Sequence, residues 1–203
     1  MAVPGRNNGV EEEAGDGALF DEAWAEPELE VPPHLRDFAV AAQTGDVDAL
    51  RVALDNLSGS IDEPLEDGDT ALHLCCLYGY LPCVKLLLER GASLESKDEE
   101  GAIPLHDACA GGFIEIVQLL LDSASNSEHM KQMLETVDSE EDTPLHHAAR
   151  GEHLDVVQLL LRAGASPRRE NIYGKTPAEL CDQRTDVRGA LHAASSSDSP
   201  AHG

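Results

Sequence analysis

Gly68-Asp69-Thr70-Ala71-Leu72-His73, Gly101-Ala102-Ile103-Pro104-Leu105-His106 and Glu141-Asp142-Thr143-Pro144-Leu145-His146 are one hexapeptide written three times, and Gly174-Lys175-Thr176-Pro177-Ala178 begins it again. His73 to His106 is a step of 33 residues, as is Thr143 to Thr176, while His106 to His146 is 40, so one unit carries seven extra residues. A second block recurs in phase with the first: Leu81 to Leu88, Ile114 to Leu121 and Leu154 to Leu161. Each is followed by a break, clearest at Gly91-Ala92-Ser93 and Gly164-Ala165-Ser166.

A Thr hydroxyl ahead of Pro accepts from an unpaired backbone N–H, and Pro at the first helical position gives up no useful donor, so the hexapeptide predicts the start of a short helix. Its small residues, such as Ala108-Cys109 and Ala148-Ala149, let a neighbouring helix approach closely. In the second block Val84, Leu87 and Leu88 stand three and four apart, the spacing of one buried helical stripe. Gly91 and Gly164 fit a left-handed stop after it. The polar residues that follow reach the next hexapeptide as an extended finger. A unit of this size cannot close its own core, so neighbours must stack.

This pattern resembles the ankyrin repeat, a unit of about 33 residues with a turn, two helices and a Thr-Pro-Leu-His-x-Ala signature. The likeness covers roughly residues 35–185. It implies an all-α solenoid of stacked helix-turn-helix units, whose short hairpin fingers and first helices line a concave face that binds other proteins. It also implies structural roles for Thr70, His73, His106, Thr143, His146, Gly91 and Gly164, the histidines bonding backbone at the turns. The organisation predicted is an acidic tail at 1–34, an N-terminal capping repeat at 35–66, and repeats at 67–100, 101–140 (with an insertion at 122–137) and 141–173. A partial C-terminal cap at 174–192 and a tail at 193–203 complete it. A short acidic leader before a small stack is similar to small ankyrin-repeat-only proteins of plants.

Composition narrows the function. The 203 residues hold 39 acidic and 14 basic side chains, a formal charge of −25, which excludes binding to nucleic acid by phosphate neutralisation and argues against anionic membranes. Apolar residues are 41% of the chain but aromatic ones only 3%, so the core is one of Leu, Val, Ala and Cys. Five cysteines, an odd count in mostly apolar surroundings, fit a reducing compartment. Met1 to Val10 offers no signal-peptide core, Glu11-Glu12-Glu13 is unlike a transit peptide, and the longest apolar runs are too short to span a bilayer. Cytoplasm or nucleus is the expected location, and a monomer the expected state.

Residues 1–34 carry nine acids and one Arg, a charge that predicts disorder, and within them Leu19, Phe20 and Trp24 form an acidic, aromatic stretch able to fold on a partner. Ser199-Pro200 in the other tail is a weak phosphorylation signal. In the insertion, Ser125 to Glu128 reads as a capping box. Met130, Met133, Leu134 and Val137 then recur at helical spacing, predicting a helix from Ser127 to Thr136 that packs on its own repeat rather than facing a partner. The third repeat has Glu141 and Glu152 where the others have Gly; a non-Gly residue held left-handed costs about 1 to 2 kcal/mol, and Gly151 is placed to take that strain instead. Ile103 deprives the second repeat's helix start of a hydroxyl, worth about 1 kcal/mol.

No catalytic or cofactor chemistry emerges. Cys75, Cys76 and Cys83 lack paired metal-ligand spacing, and His146, His147 and His153 have no Cys beside them. Cys109 and His106 share a helix turn, but on an Ala-rich face without an oxyanion site. Gly111-Gly112 lacks the Lys and Ser or Thr of a phosphate loop.

Carried onto this chain, the family's contact positions are Glu66, Asp67, Asp69, Lys97, Glu99, Glu100, Ala102, Ser139, Glu140, Asp142, Asn171, Ile172 and Lys175 on the fingers. On the first helices they are Leu74, Leu77, Tyr78, Asp107, Ala110, His147 and Arg150. Acids dominate the first three fingers, so the expected partner is a basic, partly hydrophobic protein segment, with Leu74, Leu77 and Tyr78 as its apolar anchor. The function expected is a non-catalytic adaptor, scaffold, inhibitor or assembly chaperone. Two alternatives stand beside it: a targeting chaperone for hydrophobic membrane-protein segments, and a thiol redox sensor using Cys75, Cys76 or Cys83.

Overall fold

The computed structural model describes residues 34–65 and 67–197. The acidic leader with Leu19, Phe20 and Trp24, finger residue Glu66, and Ser199-Pro200 lie outside the described residues. The chain divides into Met1–Glu30 and Val31–Gly203, and the described residues belong to the second unit.

That unit is helical. The residues expected to cap the stack form α1 (Arg36–Thr44) and α2 (Val47–Asp55), joined by left-handed Gly45 with φ 69° and by Asp46, whose carboxylate accepts from the N–H groups of Asp48 and Ala49. Three helix pairs follow: α3 (Ala71–Leu77) with α4 (Leu81–Glu89), and α5 (Pro104–Ala110) with α6 (Ile114–Asp122). An inserted α7 (Ser127–Glu135) precedes the third pair, α8 (Pro144–Arg150) and α9 (Leu154–Ala163). The chain ends in α10 (Pro177–Leu180) and α11 (Asp186–Ser197). Helix α11 carries order past residue 192, where the sequence predicts a tail, and Arg168 holds it by donating to the Ser195 carbonyl.

Successive first helices pack on one another, α1 on α3, α3 on α5, α5 on α8 and α8 on α10, and the second helices α2, α4, α6 and α9 do the same. Close approach depends on small side chains: Ala71, Cys75, Cys76, Ala108, Cys109, Ala148 and Ala149 are all completely buried. The second-helix stripe consists of Val84 with Leu87, Val117 with Leu120 and Val157 with Leu160, again without exposure, while Leu88 packs only at the margin. Burying each such side chain contributes about 1.5 to 3 kcal/mol.

Rings seal the stack at the turns. Tyr80 lies over Gly45, Phe113 over Gly79 and His153 over Gly112, so closely that a Cβ on any of these glycines would sit within 2.6 Å of the ring. Those glycines serve left-handed backbone and close approach together. In the third repeat the left-handed residue is Glu152 itself (φ 59°), and Gly151 is ordinary right-handed backbone, so Gly151 does not relieve the strain. The Glu152 carboxylate instead accepts from the Asp182 N–H at 2.6 Å.

The inserted helix begins one residue later than a Ser125–Glu128 box requires. Asn126 is its cap, accepting from the His129 N–H at 2.9 Å, and Ser125 bonds the His129 ring. Met133 and Leu134 are buried and Met130 packs beside them, so the stripe belongs to the core.

Candidate protein-interaction surface

The surface rests on fingers built by a repeated device. Leu65, Asp98, Asp138 and Asn171 each donate a backbone N–H to the carbonyl four residues on, at 2.7, 3.0, 3.1 and 3.0 Å. In the last three fingers the side chain of the same residue accepts from that far N–H as well. Neighbouring fingers are stitched by Glu99 N–H to Asp67, Ser139 N–H to Glu100 and Ile172 N–H to Glu140. The 40- and 33-residue steps from Asp98 to Asp138 to Asn171 are the signal in the sequence that identifies these bases.

The signature histidines fix each finger to its first helix. His73 Nδ1 receives the Thr70 N–H and hydroxyl at 3.2 and 3.0 Å, while Nε2 donates to the Ala102 carbonyl of the next finger at 3.3 Å. His146 repeats this with Thr143 and Lys175. His106 takes the Ile103 N–H at 3.1 Å and donates to Asp142 at 3.3 Å, without a hydroxyl. Since an amide N–H only donates and a carbonyl only accepts, each ring is the neutral Nε2–H tautomer. Burial lowers the pKa of all three, that of His106 to about 4. With both nitrogens occupied, His106 is no base for Cys109.

The acids divide into two settings. In the third repeat they are matched by the following helix: Asp138 accepts from His147 at 2.8 Å, and fully buried Asp142 accepts from Arg150 and, at 2.8 Å, from Asn171. Arg150 also reaches Glu140 at 3.8 Å, and Glu140 accepts from the Tyr173 hydroxyl at 3.3 Å. Burial raises the Asp138 pKa, but the His147 hydrogen bond and backbone donors outweigh it and leave the carboxyl below its ordinary value.

In the second repeat the cations are missing. The Arg150 position holds Ala110 and the His147 position holds Asp107. Asp107 has a buried Oδ2 with no hydrogen-bond partner. Burial first, then the charges of Asp69, Asp98 and Glu100, push its carboxyl up to about 8. Among the described residues, Asp98, Glu99, Glu100 and Asp107 form no ion pair with Lys, Arg or His.

Of the expected contact positions, Asp67, Lys97, Glu99, Glu100, Ala110, Ser139 and Arg150 are exposed, Asp69, Asp107, Glu140 and His147 are half-buried, and Leu77 and Tyr78 are 40% and 53% exposed. Four expectations need correction. Leu74 is only 5% exposed because it packs into the core cluster, and Asp142 is 0% exposed because it is the hub for Arg150 and Asn171. Neither offers a partner its side chain. Ala102 and Asn171 are likewise buried. Sequence reading also passed over Tyr173, which is 63% exposed beside Ile172 at 52%.

Among the described residues two clusters have metal-like spacing, Asp69 with His73 and Asp107, and Asp138 with Asp142 and His147. The first would need a His73 nitrogen already committed to the fold, and the second is consumed by its own pairs with His147 and Arg150. All five cysteines are free and buried. A hydrogen bond donated to Cys83 and then burial raise the Cys75 thiol, and the same bond lowers Cys83, which is itself fully buried; burial raises Cys76 and Cys109, and Cys181 is pushed up to about 11, so four of the five are unfavourable to a reactive thiolate.

Stacked helix pairs, hairpin fingers and a signature histidine bridging each pair to the next finger define an ankyrin-type protein-interaction module. The ankyrin-repeat family profile matches residues 38–128, 96–171 and 124–201, and the chain belongs to that family. A search of curated proteins returned no match. Among the described residues no helix is long and apolar enough to cross a membrane.

Proposed function

We propose that the module is a non-catalytic adaptor, inhibitor or assembly chaperone whose acidic finger face binds a basic, partly hydrophobic protein segment. The observation that carries this is the contrast between adjacent repeats. In the third repeat Arg150 and His147 occupy the finger carboxylates; in the second, Asp98, Glu99 and Glu100 have no such cation among the described residues, and Asp107 keeps a buried oxygen without a partner. A partner Arg or Lys supplies the charge that Ala110 does not. Leu77 and Tyr78 provide an exposed apolar anchor, of the kind around which hot spots form. The complementary field speeds encounter and makes affinity salt-dependent. Cytoplasm or nucleus suits five reduced thiols.

Affinity capture with the full chain and with Glu99→Lys/Glu100→Lys, compared by quantitative mass spectrometry, tests the reading. Partners rich in Lys and Arg that are lost to the variant and to high salt support it; the same partners captured by both proteins refute it. The alternatives of a chaperone for hydrophobic membrane-protein segments and of a thiol sensor have less support, the latter because of the buried thiols.

A further inference from the structure

The N-terminal end of the stack has an apolar outer face. Solenoids stay soluble by closing their ends with polar surfaces, yet Val40 on α1 and Val52 on α2 are 57% and 61% exposed. A step of 34 residues places Leu74 and Leu86 at the same positions in the first full repeat, where they are 5% and 2% exposed. Inside the stack such positions are buried; on the cap, α1 and α2 pack against each other and onto α3 and α4, and no described residue covers the other side. Val40 and Val52 line a groove of about 750 Å³ together with Phe38, Ala49 and Ala53.

Its charge selects the occupant. Asp37, Asp46 and Asp48 line the groove with His34, and among the described residues no Lys or Arg does. Two copies face to face would bring these carboxylates together, and the chain's acidic first 34 residues have the wrong sign. The geometry points to a basic amphipathic helix of a partner protein, lying in the α1/α2 groove with an aliphatic stripe on Val40 and Val52 and Lys or Arg reaching the three aspartates. Helices α1 and α2 are nine residues each, which suits a partner helix making contact over about two to three turns. This docking face is separate from the acidic finger face and does not depend on it.

The test uses the full chain and two synthetic helical peptides with the same Leu stripe, one with a Lys/Arg polar face and the other with a Glu face. Valine-methyl NMR should show Val40 and Val52 shifting with the basic peptide but not the acidic one. By fluorescence anisotropy, Val40→Glu/Val52→Glu should weaken that peptide at least tenfold, with the melting temperature unchanged because both sites are exposed. Glu99→Lys/Glu100→Lys should leave the two methyl shifts in place, which separates this face from the fingers. Unmoved Val40 and Val52 signals, or equal shifts with both peptides, would overturn the proposal. So would a concentration-dependent dimer abolished by Val52→Glu, which would assign the groove to a second copy.

Discussion

Three acidic residues occupy unfavourable settings that substitution can relieve. Glu141 sits at φ 57°, where the corresponding finger residues are Gly68, Gly101 and Gly174 at φ 78°, 81° and 65°. Relieving its Cβ strain in Glu141→Gly should raise unfolding free energy by about 1 kcal/mol in urea melts. Glu152→Gly should gain less, because it also removes the bond to the Asp182 N–H. Asp107 should behave differently. Its folded pKa of about 8 lies above the ordinary 3.8, so the fold keeps a proton that the unfolded chain releases, and stability falls as pH rises between those values. Asp107→Asn should therefore stabilise at pH 7 by an amount on the order of 2 kcal/mol, discounted for partial exposure, with the gain gone near pH 4. A pH-independent gain would contradict the assignment.

Elements show what could be read in advance. Helix α7 was legible from Met130, Met133 and Leu134, because periodicity reports a buried stripe directly. Burying Met133, 1% exposed, predicts that Met133→Ala costs about 2 to 5 kcal/mol; a loss under 0.5 would mean that α7 is not part of the core. The third finger was not legible. Asp142 and Arg150 both read as contact residues, and only the stacking of the finger on α8 reveals that they hold each other. Arg150→Ala should accordingly destabilise the fold by about 2 kcal/mol, and weakened binding by that variant has to be judged against its melting curve. The turn rings were hidden for another reason: Tyr80, Phe113 and His153 share a position but not a chemistry, so no residue pattern marks them.

Across the whole molecule, the three signature histidines set an acid limit. Their folded pKa values lie below 6.5, so above pH 6.5 their contribution is complete, and it is lost as pH falls and the unfolded chain takes up protons first. His106 alone, at about 4, should cost on the order of 2 kcal/mol by pH 5. Urea melts from pH 8 to 5 in the Asp107→Asn background, which removes the opposing trend, should show this decline. The net charge of −25 conceals the contrast on which the proposed binding rests, between acids paired with α8 and acids without such a pair. The most direct measurement is the affinity of an Arg- and Leu-containing peptide at about 50 and 300 mM salt for three full-length proteins. These are the wild type, Glu99→Lys/Glu100→Lys, and a charge-matched control, Glu89→Lys/Asp122→Lys, at the C-terminal ends of α4 and α6, where Lys suits the helix dipole. The account predicts about a tenfold loss with salt for wild type and control, and a comparable loss at low salt for the finger variant alone. Equal weakening by both variants would contradict it, since binding would then follow net charge rather than the finger face.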